Sequence, residues 1–211
     1  MANLKIIGVP QSNFVWVVRM ACAEKGVPYE LVPVRPHTPE IDAVHPLGRI
    51  PGMRHGDLAL FESKAIATYI DRAFPGPKLI PDDPAQAGLV EQWVSFINTT
   101  LDPVMVRGYL LAYFFPGTPD GAPDRARINA ALPAMRQQMG ILDRAVTATG
   151  FLAGPAFTLA DIDLLPILYY LLRLPEGGEM VKEHRNLHTY YERHAERPSF
   201  KATVPPPPPA R

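Results

Sequence analysis

A single cysteine, Cys22, stands in 211 residues, which excludes a disulfide framework within the chain and any cysteine-rich metal site. Charge of one sign is missing too. With 21 basic and 21 acidic residues the formal net charge is zero, which argues against a nucleic-acid partner, since that needs a basic face. No apolar run approaches the length of a bilayer-spanning helix, so no membrane segment is expected. The N-terminal residues lack a long apolar stretch with a cleavage site, so no signal peptide is expected and a cytoplasmic location follows. Among six histidines (37, 45, 55, 184, 188 and 194) only His184 and His188 are spaced as a ligand pair, without a third ligand, and no metal is expected.

What the chain has in excess is proline, 25 in all, with Pro205 to Pro209 consecutive. The first 76 residues alternate element types. Leu4 to Gly8 reads as a strand, Phe14 to Lys25 as a helix closed by Gly26, and Tyr29 to Val34 as a second strand. Strand, helix, strand implies a parallel pair with a crossover helix. Arg35 to Pro46 holds at most a short helix. Pro75-Gly76-Pro77 and Pro81-Asp82-Asp83-Pro84 then mark a boundary and a linker over residues 77–84.

From residue 85 to 200 only helical spacing recurs. Leu89, Trp93 and Ile97 form a stripe that continues past an expected kink at Pro103 through Val106, Tyr109 and Tyr113. Ile128, Leu132, Met135, Met139, Leu142 and Val146 mark one face of a long helix. Thr158 and Asp161 form a capping box, Phe157 is placed to staple onto Ile162, and the helix Leu159 to Leu172 is apolar nearly all round, hence central. Leu187, Tyr190, Tyr191 and His194 mark a last helix, and residues 201–211 form a proline-rich tail expected to be extended and passive.

The most informative stretch is Arg49 to Ile70. Ile50 to Met53 is a short strand beginning at Pro51, His55-Gly56-Asp57 is a turn, Leu58 to Phe61 is a second strand, and Glu62-Ser63 opens a helix. Pro51 lacks an N–H and suits a strand start, which leaves the main chain of Ile50 free to pair outside the sheet. Ser63 can cap its helix, whose first N–H groups make an anion site. A strand edge beside a helix start suits a peptide-like ligand ending in a carboxylate, although a plain hairpin and capped helix would show the same spacing.

This stretch resembles the glutathione-binding core of the glutathione S-transferases. Ile50-Pro51, Gly56-Asp57 and Phe61-Glu62-Ser63-Lys64-Ala65-Ile66 carry the likeness, and the capping box and Asn186 to Phe200 extend it to residues 3 to 200. The resemblance implies a fold in two parts, an N-terminal thioredoxin-like βαβ-ββα domain and an all-α C-terminal bundle, with a cis Ile50–Pro51 bond. It implies glutathione as co-substrate, held by His37, Arg49, Ile50, Pro51, Glu62 and Ser63, and a homodimer in which the helices after Glu62 and from Ala85 meet their symmetry mates.

The chemistry needs the glutathione thiol as thiolate, the nucleophilic form. An ordinary thiol with a pKa near 8.5 is only roughly 3% ionised at pH 7. One hydrogen bond to the charged form contributes about 1.5–3 kcal/mol, or about one to two pKa units, so a single hydroxyl at a helix start suffices. Ser12 stands between the first strand and the first helix, where it can also simply cap the helix. Within the resemblance, Gly8-Val9-Pro10-Gln11-Ser12 is similar to the serine-type transferases, the phi class in particular, with Asn13 as the second candidate donor. No tyrosine or cysteine lies in Val9 to Asn13, which disfavours the tyrosine-type classes and glutaredoxin-like chemistry.

The phi pattern is departed from at Trp16 and Val17, where a basic residue is common, at His37-Thr38 in place of a His-Lys pair, and at Arg49 in place of glutamine. The family implies that Phe14, Met105, Tyr109 and Tyr113 line an apolar electrophile site. The reading is a glutathione transferase that detoxifies small apolar electrophiles. Its rivals are a glutathione peroxidase or isomerase on the same site and a non-catalytic ligand-binding module of the same fold.

Overall fold

The computed structural model describes residues 3–207. The chain divides into two units, one running to Pro81 and resuming at Glu196, the other spanning Asp82–Ala195. The first unit begins with β1 (Leu4–Ile7), whose Leu4, Ile6 and Ile7 are buried. Helix α1 (Asn13–Lys25) follows, with Ser12 at its N-cap and Gly26 closing it in the left-handed conformation. Strand β2 (Glu30–Val32) pairs parallel with β1, as the crossover pattern predicts, and α2 (Pro39–Asp42) is the single turn allowed between Arg35 and Pro46. Then come β3 (Gly52–His55), β4 (Leu58–Phe61) and α3 (Ser63–Ala73). The sheet order is β2-β1-β3-β4, with β3 antiparallel to both neighbours. The βαβ-ββα arrangement read from the sequence is the one observed.

A buried ion pair closes this unit at the far end of α1. Lys25 Nζ donates to Asp71 Oδ1 at 3.2 Å, to the Asp71 carbonyl at 2.9 Å and to the Pro77 carbonyl at 3.0 Å. The Asp71 carboxylate also accepts from the main-chain N–H of Leu79 (2.8 Å) and Ile80 (3.2 Å). Two buried charges are tolerated because nearly every lone pair and proton between them is used. The turn passes so close that a Cβ on Gly76 would lie 3.1 Å from the Lys25 carbonyl, and its φ of +117° also favours glycine.

The sequence pattern placed residues 196–200 with the helical bundle and began a free tail at residue 201. Instead α10 (Pro198–Thr203) packs on α1 within the first unit. Arg197 makes two 2.8 Å bonds to the Glu24 carboxylate, Ser199 donates to the same group, and Trp16 Nε1 donates to Thr203 Oγ1 at 2.9 Å. Pro205 is buried as well, so the start of the proline run is docked. Pro208 and Pro209 lie outside the described residues.

The second unit is helical: α4 (Pro84–Phe96), a wide helix with π-type hydrogen bonding over Ile97–Leu110, α5 (Leu111–Phe114), α6 (Arg125–Ala145), α7 (Leu159–Leu171), α8 (Pro175–Glu183) and α9 (Arg185–Ala195). In place of a kink at Pro103 the helix widens. The broader turn accommodates a ring that would strike the preceding carbonyl and a residue without an N–H. Helix α7 is buried on all sides except at Tyr169 and Tyr170, which makes it the core element the sequence predicts.

Two carboxylates on α7 meet opposite environments. Asp161 accepts from the Thr158 N–H (2.8 Å) and hydroxyl (3.2 Å), the Leu152 N–H (2.8 Å) and the Tyr190 hydroxyl (2.9 Å). It is a hub as well as half of a capping box, while Phe157 stacks on His194 at 5.2 Å. Asp163 is buried with one donor, Asn98 Nδ2 at 3.0 Å. Burial pushes its carboxyl up to about 8; the Asn98 bond opposes this and the charge of Asp102 adds to it.

Asp161→Ala strands four buried donors and should cost about 3–5 kcal/mol, lowering the melting temperature by roughly 10 °C, with turnover near normal well below melting. Calorimetry decides this, and an unchanged melting point refutes the hub. For Asp163 the folded pKa lies above the ordinary 3.8, so the native state holds an extra proton between the two values. Its stabilising effect is complete below about pH 4 and lost as pH rises through about 8. Asp163→Asn should therefore melt progressively higher than wild type from pH 5 to pH 9, and a constant difference would contradict the assignment.

Candidate active site

Ile7, Gly52 and Phe61 stand in one row across β1, β3 and β4. Beyond this row, β1 runs into Gly8 and the loop Val9–Ser12, β3 is entered from Arg49, Ile50 and Pro51, and β4 runs out into Glu62 and Ser63. The register of the sheet thus brings together three segments that the sequence singles out separately. The Ile50–Pro51 bond is cis. A Cβ on Gly8 would lie 2.6 Å from Val15 Cγ2 and 3.0 Å from Ile50 Cβ, so only glycine lets the loop and the start of α1 approach Ile50 this closely.

Ser12 has extended backbone angles, and its Oγ accepts from the Val15 N–H at a long 3.5 Å. The hydroxyl serves the cap as an acceptor, and its own proton remains to be donated elsewhere. The cap therefore leaves the hydroxyl proton uncommitted to Val15. Asn13 is the first residue of α1 and Phe14 the second, and both are half-buried.

At the neighbouring helix the cap differs from expectation. Glu62, not Ser63, is the N-cap residue of α3, and its side chain makes no cap bond. Ser63 is buried one position inside, among the unpaired N–H groups of the first turn. Glu62 has φ of 70° and ψ of 117°, a sparsely populated positive-φ conformation that costs a non-glycine residue about 1–3 kcal/mol. It lies between the end of β4 and the start of α3, and such strain concentrates at ligand sites.

His45 went unread in the sequence and belongs to this cluster. It is 4% exposed, and its Nδ1 accepts from the Leu47 N–H at 3.0 Å. The neutral ring then carries its proton on Nε2, which lies 3.8 Å from Glu62 Oε1. The ring also packs on Phe61 at 4.9 Å between centroids. No spacing signal distinguishes His45 from the other histidines; its role comes from the sheet bringing β4 to α2. His37 is exposed and donates its main-chain N–H to the Gly48 carbonyl, with φ of 61°. Arg49 is exposed.

The residues expected to line an electrophile site divide. Met105 and Tyr109 are fully buried inside the helical unit. The Tyr109 hydroxyl donates to Glu176 Oε2 at 3.0 Å and accepts from the Gly177 N–H at 2.8 Å. Tyr113 is half-buried and bonds the same Glu176 oxygen at 2.5 Å, with Arg125 completing the group. Burial works upward on Glu176, but the bonds from Tyr113, Arg125 and Tyr109 outweigh it and hold the carboxyl at about 2. These tyrosines are committed to an internal network, which helical spacing alone could not reveal.

Burial pushes the Cys22 thiol up to about 12, which disfavours its thiolate form. His184 Nδ1 faces the Met180 carbonyl and His188 faces Glu192. Among the described residues no group of three or more His, Cys, Asp or Glu side chains is arranged to hold a metal.

The sequence matches "Glutathione S-transferase, N-terminal domain" over residues 6–78 and "Glutathione S-transferase, C-terminal domain" over residues 124–193. The chain belongs to the glutathione S-transferase family. Glutathione S-transferase 3 of Zea mays is 33% identical over 230 residues, which cover 99% of this chain and 98% of that one. The crystal structure of glutathione transferase F7 from Populus trichocarpa superposes with a TM-score of 0.87 at 29% identity, covering 95% of this chain and 97% of that one. The theta class glutathione S-transferase from Xanthomonas axonopodis pv. citri, solved with glutathione bound, superposes with a TM-score of 0.82 at 27% identity, covering 97% and 98%. The phi-like resemblance read from Ser12 and from Ile50 to Ile66 is thus met in the relatives. The chain is a glutathione transferase, with glutathione as its co-substrate.

Proposed function

We propose that this transferase activates glutathione as thiolate through the Ser12 hydroxyl and delivers it to small apolar electrophiles. The observation that carries the reading is the Ser12 cap. Its Oγ accepts a hydrogen bond from the Val15 N–H and so keeps its own proton for an anion beside Gly8 and Ile50. The positive end of α1 adds to the effect.

The binding parts are mostly main chain. The Ile50 backbone, ahead of Pro51, pairs with the peptide backbone of glutathione. A carboxylate of the ligand sits at the first turn of α3, on the N–H groups around Ser63. His45 fixes Glu62, and Glu62 meets the ligand's ammonium group. Arg49 and His37, both exposed, supply charge to the other carboxylate. Phe14, beside Ser12 and half-buried, is a wall for the apolar electrophile. Met105 and Tyr109 are left out of that wall because they are buried.

The protein works as a homodimer in the cytoplasm in this reading, in a detoxifying role. Its support is the distribution of exposed apolar groups. In the first unit Leu47 is 60% exposed, Phe61 40% and Leu58 38%. In the second unit Leu89 is exposed, and Gln92, Trp93, Phe96 and Ile141 line a shallow depression. A two-fold axis lets each patch meet the other patch of the partner, twice. Light scattering at micromolar concentration should give twice the chain mass of 23.3 kDa. A mass near 23.3 kDa would refute the dimer.

Ser12→Ala tests the chemistry. Loss of a donor to the thiolate makes ionisation harder, so the bound thiol's pKa should rise by about one to two units. Turnover at pH 6.5 should fall about 10- to 100-fold, with much of it recovered at pH 9 and glutathione affinity little changed. The measurement is the ultraviolet absorbance of the thiolate titrated with glutathione bound. Superimposable curves for wild type and variant would shift the assignment to Asn13.

A further inference from the structure

Ser12 is flanked on both sides by residues tied to one distant segment of the chain. On its N-terminal side, Gln11 Nε2 donates to the Pro206 carbonyl at 3.1 Å. On its C-terminal side, Trp16 donates its main-chain N–H to the Ser12 carbonyl at 2.9 Å and its indole Nε1–H to Thr203 Oγ1 at 2.9 Å. The Trp16 ring is fully buried and stacks on Phe200 at 5.1 Å between centroids. Thr203 donates onward to the Ser199 carbonyl at 2.7 Å, and Ser199 and Arg197 are anchored on Glu24 near the other end of α1. The segment from Arg197 to Pro206 is therefore clamped along the length of α1 and ends beside the loop that carries Ser12.

We propose that Thr203–Pro206 is a positioning element for the Ser12 hydroxyl, on the reading that Ser12 activates the glutathione thiol. The bond from Ser12 to Val15 is long, so the cap alone leaves the hydroxyl's direction weakly fixed. The two ties restrain the loop from Gln11 and the first turn from Trp16, and between them they set where Ser12 Oγ points. Proline suits the task. Its fixed φ, and the restriction it places on the residue before it, remove most of the freedom that a terminal segment would otherwise lose on docking. A single exposed hydrogen bond to Pro206 can then hold, where in a flexible tail its gain would be spent on ordering the chain.

The test uses the full chain with glutathione bound, and reads the thiol titration together with kcat and KM. Pro206 and Pro207 are exposed, so Pro206→Gly/Pro207→Gly frees the segment without opening the core. It should raise the bound thiol's pKa by about half to one unit and lower kcat at pH 6.5 about three- to tenfold, with KM for glutathione unchanged. Gln11→Ala should act alike and add little to the glycine pair, because both cut one link. Thr203→Val should shift the titration in the same direction, and Thr203→Ser should restore it. An unshifted titration in the glycine pair at a normal melting temperature overturns the proposal, as does full additivity with Gln11→Ala. Ser12→Ala is measured alongside. If it moves the titration while the glycine pair does not, only the positioning element falls. If Ser12→Ala leaves the titration unmoved, the serine reading falls and the positioning element with it.

Discussion

The site depends on one row of the sheet. Ile7, Gly52 and Phe61 are Cα partners across three strands, and each strand enters or leaves the candidate site at that row. A slip of one residue in β3 would turn its side chains to the opposite face. It would also carry Ile50 away from Gly8. The row is held by two close approaches that side chains would prevent: Gly8 against Val15 and Ile50, and Gly52 against Ile41, where a Cβ would lie 2.7 Å from Cδ1. Backbone contact at these two points lets main-chain groups, a helix start and a hydroxyl converge without long side chains reaching in.

Strain and burial sit where this convergence is tightest. Glu62 is held at φ of 70° between β4 and α3, and the buried His45 has its Nε2 3.8 Å from the Glu62 carboxylate. Away from the row the unit is closed by ordinary means. Lys25 and Asp71 saturate each other with carbonyl and N–H partners, and the α1–α10 contact buries Trp16. Both contacts are made by α1, the helix that follows the loop Val9–Ser12.

Much of this was legible in the sequence because the signals were local. Gly26 stops α1, the hairpin turn at Gly56 fixes β3 against β4, and Thr158 with Asp161 announces the central helix. What escaped reading was set by contacts far apart in the chain. Nothing in Pro198 to Thr203 says that its partners are Trp16 and Glu24 rather than the preceding helices. Helical spacing identified Tyr109 and Tyr113 as one stripe, but their hydroxyls are claimed by Glu176, some 60 residues away. Pro103 suggested a kink because proline usually breaks a helix, yet a widened turn absorbs it. Ser63 looked like a cap because serine favours that position. The strained Glu62 takes the cap instead, and moves Ser63 one place inside, onto the free N–H groups.

Two of the departures from the phi pattern, Trp16 and Val17, are buried in α1, and the others fall outside the helices. His37 and Arg49 are exposed, while Thr38 is half-buried with its hydroxyl oxygen shielded from solvent. The parts that match, Gly8, Ile50-Pro51 and Glu62-Ser63, are positions where the main chain itself does the work. Main-chain pairing and a helix start bind a peptide whatever side chains surround them, whereas charged contacts from long, exposed side chains contribute little each and can be moved. A chain can therefore exchange its outer carboxylate contacts and keep the inner geometry. On the proposal that Ser12 activates the thiol, the constraint that remains is on its small hydroxyl, which has little reach of its own. That proposal accords with a loop tied to the sheet, to α1 and to the returning C-terminal segment together.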